Sequence, residues 1–449
     1  MSSEDHIQPY GENPRYWQYK GKPVLLLGGS VEDNLFQIAD LEEHLRLLRS
    51  VGGNYVRCTM SSRDEGDVWP FEKDGDLYDL EKPSQEYWAR FERFLELAAA
   101  LDIIAQFELW DRFDYARGPW QANPFNPKNN CNYTVEESGL QPEIDTHPGK
   151  NESRFFFTVP DEDNNELVLG YQKALVDEML SRTLGRPNLL YCMDNETSAV
   201  EGWGRFWSEY IKAHAAEQGV CVHTTEMWDS HDLSHEHHKR TFDHPETYSF
   251  CDISQNNHNR GDVHWENQAL VRGPLDPIRP LNYVKIYGSD EPHDASSPNA
   301  RLGVGGLYGQ TRDGLERFWR GVFGGLAAVR FHRPPAGLGL APVAQAHIRS
   351  MRMLTDAMDV FSCEPHNDLL SYRKENGAFA FANPGAEYAV FFPHGEAVNI
   401  DLECDGGPLT ARWLDVEKSE WAREQKLEPG RKRALIPPGE RYWAVLIQG

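Results

Sequence analysis

Short apolar runs alternate with amphipathic stretches through the first two-thirds of the chain. Residues 24–28, Val-Leu-Leu-Leu-Gly, carry no polar interruption and predict a strand buried on both faces. Apolar positions at helical spacing follow over 41–51 and stop at Gly52-Gly53. The pair recurs as a strand at 54–58, a helix at 84–100 with Ser84 as its N-cap, and a strand at 102–108. Further along come a helix at 165–184, a strand at 188–196, a helix at 203–218, and strands at 220–225 and 248–253. A strand at 283–287, a helix at 314–323 and a strand at 326–331 complete the series. Alternating strands and helices signal a parallel sheet, and eight strands spread over this length predict an α/β fold of the (β/α)8 TIM barrel type.

After a helix at 344–360 the texture changes. The apolar runs that begin at Ala378, Tyr388, Val398, Thr410 and Tyr442 are short and separated by Gly, Pro and Asn turns. They predict a small C-terminal antiparallel β-sandwich. The expected division is a barrel over 1–355 and a sandwich over 356–449. The connecting helix shows no flexible linker, so the sandwich reads as a brace. One segment breaks the alternation: residues 110–163 are polar and rich in Asn, Pro and Gly. Inserted after a strand's C-terminal end, it is expected to cover that face of the barrel and shape a pocket.

Two of the strands end in carboxylates. Asn188-Leu-Leu-Tyr-Cys-Met-Asp-Asn195-Glu196 delivers Glu196 to a strand end, and Tyr283-Val-Lys-Ile-Tyr287-Gly-Ser-Asp-Glu291-Pro292 delivers Glu291 to another. The two strands stand three apart around the barrel, so their ends face each other across the mouth. Paired carboxylates there are the equipment for cleaving a glycosidic bond: one protonates the leaving oxygen and the other attacks the anomeric carbon. Asp290 is a rival to Glu291, because neighbouring strand residues point to opposite faces. Candidate substrate-binding residues occupy other strand ends: Arg57, Glu108, Trp110, Asn195, Trp228, Asn257, His258, Tyr287 and His332. Aromatic rings stack on sugar C–H faces, while fixed polar groups read the hydroxyls. The structural alternatives are core packing for the Trp residues and a buried ion pair for Arg57.

Charge and composition narrow the partners. The net charge of −25 argues against nucleic acid or an anionic membrane surface. The polar acidic start, Met1-Ser-Ser-Glu-Asp-His6, lacks a signal peptide's basic and apolar regions, and no run is long enough to span a membrane. The expected location is cytoplasmic, or secreted or periplasmic if a leader has been trimmed. Seven cysteines without CxxC spacing, among them Cys58, Cys192, Cys221 and Cys251, read as buried free thiols. His231, His235, His237 and His238 invite a metal reading, but Lys239 stands where a zincin motif needs its last His. They are taken as a solvated loop, with no metal and no cofactor. A flat sandwich on an acidic protein allows a homo-oligomer.

These segments together resemble the bacterial apiosidase-like glycoside hydrolases, relatives of the family-five (β/α)8 enzymes. The resemblance is carried by Tyr16-Trp-Gln-Tyr-Lys-Gly-Lys-Pro-Val-Leu-Leu-Leu-Gly28, Gly53-Asn-Tyr-Val-Arg57, Asp194-Asn195-Glu196, Asp290-Glu291-Pro292 and Leu315-Glu-Arg-Phe-Trp-Arg-Gly-Val-Phe-Gly-Gly-Leu-Ala327. It covers nearly the whole chain, and residues 360–449 resemble the small β-sandwich, once labelled collagen-binding, that often closes these proteins. It implies a retaining glycosidase with Glu196 as acid/base and Glu291 as nucleophile. Two departures touch the subsite floor. Gly29-Ser-Val-Glu-Asp33-Asn34 stands where an aromatic-rich Thr-Ala-Trp segment is usual, and Ser289-Asp290 where Asn-Gly is common. The apiosidase specificity is therefore not carried over. The expectation is a retaining glycoside hydrolase acting on an oligosaccharide. The alternatives are a catalytically inactive carbohydrate-binding protein on the same fold and a metal-dependent hydrolase using the histidines.

Overall fold

The computed structural model describes residues 5–291, 308–403 and 407–449. Eight parallel strands form the barrel: β1 (Leu26–Gly29), β2 (Tyr55–Thr59), β3 (Ile104–Asp111), β4 (Leu189–Asn195), β5 (Thr224–Thr225), β6 (Cys251–Asp252), β7 (Leu281–Ile286) and β8 (Ala328–Phe331). Their hydrogen-bonded order is β5-β4-β3-β2-β1-β8-β7-β6. The seam between β5 and β6 is crossed by the Ser249 amide donating to Thr224 O at 3.1 Å and the Asp252 amide to Thr225 Oγ1 at 3.1 Å. The chain thus forms a nearly closed TIM barrel. Every strand is buried along its length, which is why the sequence shows continuous apolar runs rather than alternation.

Helices α1 (Leu41–Ser50), α2 (Gln85–Ala100), α3 (Glu166–Thr183), α4 (Glu201–Glu217), α5 (Glu236–Phe242), α6 (Gly261–Arg272), α7 (Thr311–Phe323) and α8 (Pro342–Thr355) follow the strands in turn. Ser84 caps α2 as expected, its side chain accepting from the Tyr87 amide. Two of these eight helices fall outside the sequence expectations. In α6 the buried side chains include His264, Asn267 and Gln268, while Val263 and Leu270 are exposed, so the apolar period is scrambled. In α5, His235 supplies the N-cap and the helix opens inside the supposed histidine loop. Cys221 lies before the two-residue β5 and is exposed, whereas Cys58, Cys192 and Cys251 are buried. That corrects the expectation of a buried thiol at Cys221, whose strand is shorter than its apolar pattern implied.

Val24 is not part of the barrel. It ends the strand Lys22–Val24, which pairs with Trp17–Tyr19 in a three-stranded antiparallel sheet. This sheet plugs the N-terminal end of the barrel, where Trp17 Nε1 donates to Asn282 Oδ1 at 3.0 Å. Above the plug the interior is polar. Tyr55 Oη donates to Gln106 Oε1 at 2.6 Å, Asn282 Nδ2 donates to the same oxygen at 3.1 Å, and Gln106 Nε2 reaches Asp252 at 3.2 Å. Each buried polar end is matched, which keeps the floor of the mouth rigid.

The C-terminal region is antiparallel. A six-stranded sheet faces a three-stranded one. The strands Phe379–Asn383 and Glu387–Phe392 alternate cleanly. Phe379, Phe381 and Phe391 join the barrel's core, while Ala380, Tyr388, Val390 and Phe392 fill the space between the two sheets. Trp319 of α7 stacks on Phe391, with centroids 4.6 Å apart. Among the described residues no helix is long and apolar enough to cross a membrane.

Candidate active site

The mouth at the C-terminal strand ends has two halves. On the β1-β2-β3-β8 side, Arg57 rises from β2 and is fully buried. Its Nε donates to Glu108 Oε1 at 2.6 Å, and its two terminal nitrogens reach the Glu108 and Asp33 carboxylates. Asp33 also accepts from Arg333 Nε at 2.7 Å. Arg63 bonds Asp111 at 2.6 Å and Asp114 at 2.8 Å. Burial raises Asp33, but Arg57, His332 and Arg333 outweigh it and hold the carboxyl well below its ordinary range. Glu108 is pushed up by burial and only partly restored by Arg57. The Arg57 reading as a buried ion pair therefore describes what this residue does.

The β4-β5-β6-β7 side is built differently. β4 ends at Asn195, and Glu196 takes a left-handed backbone with φ of 50°. Such a conformation is costly for a non-glycine residue and turns the side chain off the strand line. Glu196 Oε1 accepts from Lys285 Nζ at 2.6 Å and from Tyr287 Oη at 3.2 Å. Lys285 also donates to Asn195 Oδ1. Burial alone raises the Glu196 carboxyl, but the Lys285 charge and hydrogen bond bring it down to about 2.

Asp229 stands beside this turn, its amide donating to Thr197 O at 2.8 Å. Burial, and then the charge of Glu196, push its carboxyl up to about 6. Two neighbouring carboxyls are thus driven in opposite directions, the pattern of an assigned base and acid. The rings of His231 and His258 stack with centroids 3.4 Å apart, and burial followed by His231 drives His258 down to about 3. Tyr287 packs edge-on to Tyr308 at 4.3 Å and against His332 at 4.5 Å. Asn257 is fully buried, and neither end of its amide has a partner among the described residues.

The polar segment 110–163 does lie over the mouth. Ser198 Oγ donates to Gly149 O at 3.2 Å, and Arg112 reaches Asn151 Oδ1. Burial lowers the His147 pKa and the charge of Glu196 counters it, which places this loop histidine in the field of the site.

Of the residues picked from sequence, Arg57, Glu108, Asn195, Glu196, Asn257, His258, Tyr287 and His332 sit in or under the mouth. Trp110 does not line it. That residue is buried against Tyr115, Phe155, Trp203 and Trp207. Trp228 is buried as well, with Nε1 donating to Thr241 Oγ1 at 2.8 Å and Arg240 over its ring. Glu291 is exposed at the rim, its amide donating to Ser289 Oγ at 3.1 Å. Asp290 exchanges hydrogen bonds with Thr311 at the start of α7. Glu196 is touched by Lys285 of β7 and by Tyr287 just beyond its end. Lys285 and Asp229 were missed, although a lone lysine inside the apolar run Tyr283-Val-Lys-Ile was a legible sign of an inward charge. The histidines take different roles: His235 caps α5 with the His237 ring 4.5 Å from its own, His238 Nε2 bonds Ser230 O at 2.8 Å, and His231 joins the mouth. Among the described residues no group of three or more His, Cys, Asp or Glu is placed to hold a metal ion.

No family model and no curated protein sequence matches the chain. Solved structures do. A glycoside hydrolase family 5 protein from Bacteroides vulgatus superposes with a TM-score of 0.67 at 12% identity, covering 99% of this chain and 94% of that one. A second structure, a glycoside hydrolase, gives 0.64 at 11% identity over 99% and 97% of the two chains. The family 5 mannosidase of Rhizomucor miehei, as a single-residue mutant in complex with mannosyl-fructose, gives 0.53 at 12% identity over 80% of this chain and 99% of that one. At such identities the likeness is one of fold.

Proposed function

We propose that the protein is a retaining glycoside hydrolase whose mouth cleaves an oligosaccharide with two carboxyls. The observation that carries the reading is Glu196 just past the end of β4, gripped by Lys285 Nζ at 2.6 Å, with Asp229 four residues beyond β5 and its carboxyl raised by burial and by the Glu196 charge. Two-carboxyl cleavage of a glycosidic bond needs one ionised and one protonated carboxyl, and the pair offers one of each. In this assignment Glu196 attacks the anomeric carbon and Asp229 protonates the departing oxygen. Tyr287, 3.2 Å from Glu196, orients the attacking carboxylate. Asn257 and the His231–His258 stack take the sugar hydroxyls and ring face. The fold likeness to family 5 hydrolases supports the substrate class.

The assignment reverses the role expected of Glu196 from the resemblance. Glu291 is the rival partner, with Glu196 then acting as acid/base. The two are separated by substitution. Turnover of aryl glycosides and oligosaccharides by Asp229→Asn and Glu291→Gln, with the product anomer followed by NMR, shows which carboxyl is required. If neither substitution slows a confirmed substrate, the two-carboxylate reading falls. A second reading, a carbohydrate-binding protein without turnover, is favoured by the same Lys285–Glu196 ion pair, which ties up the carboxylate. It predicts binding of an oligosaccharide with no product at any pH.

A further inference from the structure

A cavity of about 380 Å³ opens at the end of the barrel opposite the mouth, between the N-terminal segment and the turns that lead into β4 and β5. Its lining includes His6, Gln8, Gln218, Cys221 and His223. The volume is that of a small-molecule site. Cys221 carries an exposed free thiol. His223, two residues further on, is 8% exposed. Its Nδ1 pairs with Ser249 Oγ at 3.1 Å. Its Nε2 has no partner among the described residues and is not sealed off by them, so it faces the cavity that the ring lines. Burial lowers the His223 pKa to about 4, so a neutral imidazole offers one hydrogen bond to an occupant.

A cation stands beside the thiol. Lys212 of α4 donates to Glu246 O at 3.0 Å and to Thr247 O, both backbone carbonyls, and it pairs with no carboxylate among the described residues. Burial lowers the Lys212 pKa, and the charge of Cys221 is the largest influence that counters it. Cys131, the other exposed thiol among the described residues, is placed differently. The lysine that acts near it, Lys82, is already held by Asp79 at 2.8 Å.

We propose that Cys221 is a thiol-modification site that forms a mixed disulfide with a low-molecular-weight thiol seated in this cavity. The Cys221 sulfur attacks one sulfur of a small disulfide as the thiolate. A new S–S bond forms, the original S–S bond breaks, and the other half departs as a thiolate that takes up the proton Cys221 gave up. Cys221 is oxidised and the departing half is reduced. Lys212 stabilises the attacking anion and draws in a carboxylate on the small molecule, against the repulsion of a chain with net charge −25. His223 Nε2 meets one polar group of the occupant. The site is remote from Glu196 and does not depend on the hydrolase reading.

The test exposes the reduced full-length protein to excess oxidised glutathione and follows each cysteine by peptide mapping and mass spectrometry. Cys221 should be modified at least about tenfold faster than Cys131 in the same molecules. Lys212→Gln and His223→Gln should each bring the Cys221 rate toward that of Cys131 and leave Cys131 unchanged. Lys212 is partly exposed, so its variant carries the test if His223→Gln fails to fold. The preference should shrink with 2-hydroxyethyl disulfide, which has no carboxylate. Equal rates at the two cysteines overturn the proposal, as does a preference that Lys212→Gln leaves intact. A preference of the same size with 2-hydroxyethyl disulfide also overturns it, because exposure alone then explains the reactivity.

Discussion

The two halves of the barrel mouth use their charged side chains in opposite ways. Around Arg57 each charge is answered: Asp33, Glu108 and Arg333 form a closed set, and Arg63 is shared by Asp111 and Asp114. Around Glu196 the answers are incomplete. One lysine serves Glu196, Asp229 is raised by its neighbours, and Asn257 has no partner among the described residues. A saturated network fixes structure, because removing any member strands a buried charge. An unsaturated one has free valences for a substrate. The mouth therefore separates into a rigid wall and a working side, though both look equally polar in sequence.

The largest effect is expected at the wall. Arg57→Ala leaves Asp33 and Glu108 buried without their cation, which should cost about 3–5 kcal/mol and lower Tm sharply in thermal denaturation. A Tm within a degree of wild type would place the structural burden elsewhere. Glu196→Gln acts on turnover, which should fall by ~10³-fold or more in steady-state kinetics, and it also lowers Tm in calorimetry, because Lys285 is left buried without its carboxylate partner. If activity survives, the working side has been misidentified.

A smaller and more diagnostic effect concerns pH. Asp229 must be protonated to act as the acid, so activity is expected to fall above about pH 6, and this limb should disappear in Asp229→Asn with a low residual rate. Stability carries the opposite signs for the two carboxyls. The Glu196 pKa is depressed from 4.5 to about 2, so its pairing with Lys285 stabilises the fold above pH 4.5 and is lost as pH falls toward 2. The Asp229 pKa is raised from 3.8 to about 6, so its ionisation opposes folding increasingly as pH rises from 3.8 to 6. Lys285→Met should raise the Glu196 pKa, moving the acid limb of activity upward; an unmoved limb would show that another group holds Glu196 ionised. The smallest effect is expected at Asn257. Its replacement by Ala removes about 1 kcal/mol of substrate hydrogen bonding, a several-fold rise in KM with kcat nearly kept.

The barrel was legible because its strands are short, fully buried and mostly apolar, and its main helices keep an apolar stripe, as α1 and α2 do. Where burial is polar the pattern failed. In α6 the core-facing positions are His, Asn and Gln, and the polar antiparallel strands Glu420–Leu427 and Gly430–Leu435 carry no apolar alternation to read. The site was legible to the same degree. Glu196 and Arg57 stood out as charges at the ends of apolar runs. Trp110 and Trp228 looked equally apt for binding sugar, yet their rings are packed inside the protein. Asp229 had no signal of its own, because an acid in a run of acids and histidines reads as solvated.

By itself the sequence determined the fold class, the order of the barrel strands with most of their helices, and the place of Glu196 at a strand end. Hydrophobic periodicity is local, and local patterns suffice for these. Only the tertiary structure decided the pairing. Lys285 stands 89 residues from Glu196 and still donates to it at 2.6 Å, and the charge of Glu196 reaches Asp229 from a different strand. Protonation follows from burial and from neighbours brought together by barrel closure, and neither exists until the chain has folded.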